Sequence, residues 1–236
     1  MHSGGRCMKL EELGKLMRYP PHVVRDAKML LDADRETFKT LEEEFRYYPQ
    51  PVNLVYAKRF LDWLERQGFP VEEAADIFRR WGQALLHGRS KIAMLGACVY
   101  LVARRRHIPL SINEIKRWCR CPRRRIYRYY QLLVQASGVP VPDGVDLHLA
   151  WLKRGAEELG APREVLEDAA DILRRFRGRM GRNPKVVAAS CLYLATERHG
   201  LQISFSRLAE VFTVTEISVR NTVYEILNEL QEEADR

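Results

Sequence analysis

Two groups of side chains in this sequence have the types and spacing to do chemistry: an isoleucine–arginine pair at the start of a helix, and rows of arginines. The segment FSRLAEVFTVTEISVRNTVYEILNEL (205–230) has the plan of a helix-turn-helix: a short helix, a turn of three or four residues and a longer helix. Thr213 with Glu216 has capping-box spacing and Thr215 is a second candidate cap, so the longer helix is expected to start within two residues of 215. On a 3.6-residue period Val219, Val223, Ile226 and Leu230 form an inward stripe, while Ile217, Arg220, Asn221 and Tyr224 face outward or flank it. An outward isoleucine beside arginine and asparagine can meet a thymine methyl while its neighbours reach acceptors in the major groove. Single exposed apolar residues are also common on protein surfaces, so spacing alone leaves DNA contact and plain packing both open.

The arginine rows are RRRH (104–107) and RRRIYRYY (123–130). The formal net charge is +8, yet residues 1–50 are balanced, with nine Lys/Arg and nine Asp/Glu, whereas 88–130 hold twelve Lys/Arg against the single acid Glu114. The positive field therefore belongs to one part of the chain and points to an acidic partner such as nucleic acid. Arg123, Arg124, Arg125 and Arg128 suit phosphate contacts, which fix position without carrying sequence information. Tyr127, Tyr129 and Tyr130 interleave with them, a pattern also found where single-stranded bases stack; Tyr130 aligns with the inward Val223 and is expected in the core. Arg104, Arg105 and Arg106 end a helix, where cations suit the helix dipole as well as a basic surface.

Other chemistries find no constellation. The six histidines, at 2, 22, 87, 107, 148 and 199, have no partner at catalytic or metal-binding spacing, and there is no Gly-rich phosphate loop, so an enzyme is not expected. Of five cysteines only Cys119 and Cys121 are close, with one residue between them rather than the two to four of a zinc knuckle, so neither a metal nor another cofactor is expected. No stretch reaches the roughly 18 apolar residues of a membrane span and the N-terminus lacks a signal-type apolar run, so the chain reads as soluble and intracellular, without a membrane partner.

These residues must be held by a duplicated scaffold. GRSKIAMLGACVYLVARRRHIPLSINEI (88–115) lies over GRNPKVVAASCLYLATERHGLQISFSRL (181–208) at a constant offset of 93, which continues without a gap to pair Ile126 with Val219 and Leu133 with Ile226. Upstream, EEAADIFRR (72–80) matches EDAADILRR (167–175). Apolar residues recur at three and four, so each unit is helical. Helices are expected near 53–67, 71–86, 90–105, 111–119 and 122–136, and again near 146–159, 163–178, 184–199, 204–212 and 215–233. The third helix of each unit is apolar on nearly every side and is the expected buried centre. The Pro-rich stretch within 138–145 separates repeat one (51–137) from repeat two (146–236).

A five-helix duplicated unit around a small-residue central helix resembles the cyclin box. Together GRNPKVVAASCLYLA (181–195), EVFTVTEISVRN (210–221) and GRSKIAMLGACVYLVA (88–103) resemble the C-terminal core of archaeal transcription factor B and eukaryotic factor IIB, over about 180 residues. The resemblance implies an all-α chain of two tandem cyclin-box-like repeats, the second ending in a helix-turn-helix. It implies promoter DNA and a TATA-binding protein as partners, with nuclear or nucleoid-associated location. By it Ile217 and Arg220 fall on base-reading positions, and Thr215, Ser218 and Asn221 on phosphate or edge contacts. Family members carry an N-terminal zinc ribbon that docks on RNA polymerase, whereas residues 1–50 contain only Cys7 and suggest one or two amphipathic helices broken at Pro20 and Pro21. The expectation is a ribbon-less paralogue or core fragment with RNA polymerase recruitment left open. The alternative is a cyclin-like module regulating a kinase or other protein without DNA.

Overall fold

The computed structural model describes residues 8–85, 90–138, 145–179 and 182–234, and within these it is helical with no strand. Gly88, Arg89, Gly181 and most of the Pro-rich stretch lie outside the described residues. The chain forms two compact units, one from the described residues of 1–106 and 110–141, the other from those of 107–109 and 142–236. No helix is long and apolar enough to cross a membrane.

In the first unit the central helix is α7 (Lys91–Arg105), buried from Ile92 to Val99 and again from Leu101 to Ala103. Around it pack α4 (Gln50–Arg66), α5 (Val71–Ile77), α8 (Ile112–Cys119) and α9 (Arg123–Ser137). Gly96 lets α8 come close, since a Cβ there would lie 2.9 Å from both Cys119 Sγ and Ile115 Cγ2. The expected second helix, 71–86, is interrupted: after α5 the chain makes a π-helical stretch, Phe78–Gly82, before α6 (Gln83–Leu85). Gly82 sits there because its missing side chain makes room for the Phe78 ring, 3.0 Å from where its Cβ would be.

The N-terminal segment holds three helices rather than one or two: α1 (Leu10–Leu16), α2 (Pro21–Asp32) and α3 (Arg35–Glu44). Pro21 opens α2 at a position where its missing N–H has no helical partner to lose. Asp34, which the composition did not flag, starts α3 by accepting from the Glu36 and Thr37 amides, each at 2.9 Å. These helices are integral to the first unit: Val23, Ala27 and Leu30 bury one face of α2 against α4, and Phe38 packs edge-on to Tyr56 of α4.

The second unit repeats the plan around α12 (Pro184–Arg198), with α10 (Val145–Leu159), α11 (Arg163–Arg175), α13 (Phe205–Phe212) and α14 (Glu216–Ala234). Its core is one continuous cluster, including Leu152, Leu173, Leu192, Phe212, Val219 and Ile226. Gly155 is essential to it, because a Cβ there would fall 2.0 Å from Cζ of the buried Phe212.

The duplication extends to backbone and ion pairs. The loop after each central helix turns through the left-handed region at His107 and Gly200, one offset apart, and the turn inside each helix-turn-helix does so at Arg120 and Thr213. Glu73 of α5 pairs with Arg105 (3.5 Å) and Arg106 (2.8 Å), as Asp168 of α11 pairs with Arg198 (3.1 Å), with the His199 ring 3.7 Å from the same carboxylate. Each acid tethers the C-terminal end of a central helix.

Candidate nucleic-acid interface

The helix-turn-helix of the second unit is α13, a turn and α14. Ser204 caps α13 by accepting from the Arg207 amide at 3.1 Å. Thr213 sits at φ 54 as the reversal that ends α13, an unfavourable conformation for a β-branched residue, so it is not the cap of the next helix. Thr215 takes that role: its hydroxyl accepts from the Ser218 amide at 3.3 Å and its carbonyl from the Val219 amide at 3.2 Å. The Thr215 and Ser218 hydroxyls lie 2.7 Å apart, which places two polar groups together at the N-terminus of α14. Backbone amides there are unpaired within the helix and attract anions.

The outward face of α14 starts at this end. Ile217 is 73% exposed, and Arg220, Asn221 and Tyr224 share the exposed face. The inward stripe of Val219, Val223, Ile226 and Leu230 is buried. A buried hydroxyl fixes the register between the two faces: Ser190 Oγ of α12 lies 2.9 Å from the Val186 carbonyl and 3.0 Å from the Val219 carbonyl, tying the first turn of α14 to the central helix.

Arg220 does not extend from a bare surface. Its guanidinium lies over the Phe205 ring, 5.1 Å from the centroid, and Phe205 stacks in turn on Tyr193 with centroids 4.2 Å apart and planes at 20°. Desolvation raises the Tyr193 phenol above its ordinary range, with Glu197 adding to the shift and Arg220 opposing it, so the ring stays neutral beneath the cation. Periodicity cannot show this stack, because Tyr193 and Phe205 come from different helices. The available sign was an aromatic residue at 205, the first position of an otherwise polar helix start.

In the first unit α8, a turn and α9 make the equivalent motif. Ser111 and Glu114 form a capping box at the start of α8, the Ser111 amide donating to Glu114 at 2.8 Å and the Glu114 amide to Ser111 at 3.2 Å. The one acid of 88–130 is thus spent on helix initiation. Arg123, Arg124, Arg125 and Arg128 are all exposed and none is ion-paired among the described residues. Arg120, at the turn, bonds instead to Glu42 and Tyr56.

The arginine row at 104–106 divides differently. Arg105 and Arg106 share Glu73, as described above, and the Arg104 side chain bonds to the Tyr130 hydroxyl. Tyr130 itself departs from the expectation of a core residue: it is half-buried, and Tyr129 is the one 5% exposed. A phenol is longer than the valine at the matching position 223, so its hydroxyl reaches the rim, where Arg104 meets it. Cys119 and Cys121 are both free and buried, and no group of His, Cys, Asp or Glu among the described residues is arranged to hold a metal ion.

Comparison with known proteins matches this architecture twice. The profile of the transcription factor TFIIB repeat fits residues 57–136 and again 149–229. The transcription initiation factor IIB of Pyrobaculum arsenaticum is 32% identical over 186 residues, covering 75% of this chain and 55% of that protein. The factor of the same name from Saccharolobus shibatae is 31% identical over 166 residues, covering 68% and 53%. That from Methanocaldococcus jannaschii is 32% identical over 186 residues, covering 75% of this chain but 27% of its own length. This chain spans about half the length of the first two relatives. With both of its units matched, the chain belongs to the transcription factor TFIIB repeat family.

Proposed function

We propose that this chain binds promoter DNA together with a TATA-binding protein, as a non-enzymatic transcription-initiation protein of the factor B type. In this reading α14 enters the major groove by its N-terminus, Ile217 meeting an apolar base edge and Arg220 a purine acceptor pair. Thr215, Ser218 and Asn221 make phosphate or edge contacts beside them. The arginines at 123, 124, 125 and 128 grip phosphates from the first unit, while Arg104, Arg105 and Arg106 add to the basic surface from positions that also serve the fold. The observation that carries the reading is an exposed Ile217 one turn from a supported Arg220, at the capped start of the second helix of a helix-turn-helix.

A gel shift on promoter duplexes, with and without a TATA-binding protein, tests this. The expected result is a ternary complex that Arg220→Ala weakens by about 1–3 kcal/mol, with relaxed discrimination at the contacted base pair. No supershift with any TATA-binding protein, combined with co-purification of a kinase, would overturn it in favour of a protein-regulating cyclin-like module.

A further inference from the structure

The two helix-turn-helix motifs superpose in sequence without a gap, so each outward position of α14 has a counterpart on α9. Tyr127 stands where Arg220 stands, and Tyr130 where Val223 stands. The second unit ends its aromatic stack in a guanidinium; the first ends one in an aromatic ring. Tyr100 of α7 meets Tyr130 edge-on, with centroids 4.9 Å apart and planes at 68°, and Tyr127 lies against Tyr130 at 5.8 Å and 35°. The Arg104 side chain also bonds to the Tyr130 hydroxyl. Tyr127 is therefore supported on one side, and it is 46% exposed on the other. Arg123, Arg124 and Arg128, all exposed, lie within one helical turn of it.

A phenol ring differs from a guanidinium in what it can recognise. It has no bidentate donor fork for a base edge in a groove, but it offers a flat face. Bases inside a duplex are stacked on one another and have no free face, whereas an unpaired base has one. Arginines on either side of the ring would meet the phosphates that flank such a base.

We propose that α9 of the first unit is a binding site for unpaired nucleotide strands, one base stacking on Tyr127 while Arg123, Arg124 and Arg128 hold neighbouring phosphates. The site shares its arginines with the phosphate grip proposed above but does not depend on base reading by α14.

The test is fluorescence anisotropy with the full chain and three strands of about 12 nucleotides, a length within the usual site size of such surfaces. These are an oligothymidylate, an oligouridylate and an abasic strand with the same number of phosphates. The wild-type chain is expected to prefer a base-bearing strand over the abasic one by about tenfold, the scale of one stacked base. Tyr127→Phe keeps that preference. Tyr127→Ala removes it, with affinity for the abasic strand and for a duplex unchanged, which also reports that the variant is folded. A preference seen with the DNA strand, the RNA strand or both supports the site and identifies its strand chemistry. Equal wild-type binding to base-bearing and abasic strands overturns the proposal, as does a preference that survives Tyr127→Ala. A chain that shows the preference but binds no promoter duplex would count against the promoter reading and leave this site standing.

Discussion

Arg220 reaches solvent across the face of Phe205, and that support changes what the residue can do. A free arginine loses several rotamers when it docks, whereas one already lying over a ring has fewer left to lose. Phe205→Leu keeps apolar volume at this position but removes the quadrupole. Its expected effect is a loss of about 0.5–1 kcal/mol in specific duplex affinity, with no further loss when combined with Arg220→Ala and with the melting temperature little changed. A gel-shift double-mutant cycle measures this, and additive losses would show that Phe205 acts elsewhere. Cysteine reactivity gives a second residue-scale outcome. Burial pushes the Cys191 thiol up to about 12 and raises Cys98 further, so both stay protonated, and thus unreactive, at every pH below that range. Mass spectrometry after alkylation of the native chain at about pH 8 is expected to find both unmodified, and after denaturation both labelled.

The starts of α12, α13 and α14 and the outward positions of α14 were legible in the sequence because amphipathic spacing and capping residues are local signals. The expected starts near 184, 204 and 215 and the observed 184, 205 and 216 differ by at most one residue. Long-range signals were not legible. Ser190 reaching the Val219 carbonyl, Phe205 beneath Arg220 and Glu73 holding two arginines each join different helices, and no periodicity encodes such pairs. Between the two candidate caps, Thr213 and Thr215, only the backbone decides: Thr213 is left-handed and ends α13, and Thr215 caps α14. Packing between elements also tests which glycines matter. Gly155→Ala places a methyl against the Phe212 ring, so α10 and α13 must move apart, and a destabilisation of about 1–3 kcal/mol is expected. Chemical denaturation measures it, and Phe212→Leu in the same chain should recover part of the loss. In the first unit Cys119 stands at the Phe212 position, so the larger ring there is specific to the second unit.

Duplication gave the molecule two copies of one motif, and their surfaces then diverged in kind. The α14 copy carries Ile217, Arg220 and Asn221 at the outward start of its helix, a mixture able to distinguish base pairs. The α9 copy carries the exposed Arg123, Arg124, Arg125 and Arg128, which in the proposed reading would grip phosphates and add charge without discrimination. The two contributions to binding separate by their dependence on salt, since each phosphate contact adds about 0.9 to the slope of log affinity against log salt concentration. Replacing these four arginines with glutamine is therefore expected to flatten the slope by about 3–4 while the ratio of specific to non-matching duplex affinity holds. Arg220→Ala should do the reverse, reducing that ratio by about tenfold or more and leaving the slope nearly unchanged. Titrations of both variants on matched and mismatched promoter duplexes at several salt concentrations measure the two quantities together. A four-arginine variant that lost discrimination along with slope would mean that α9 reads sequence as well, and the division of labour between the repeats would fail.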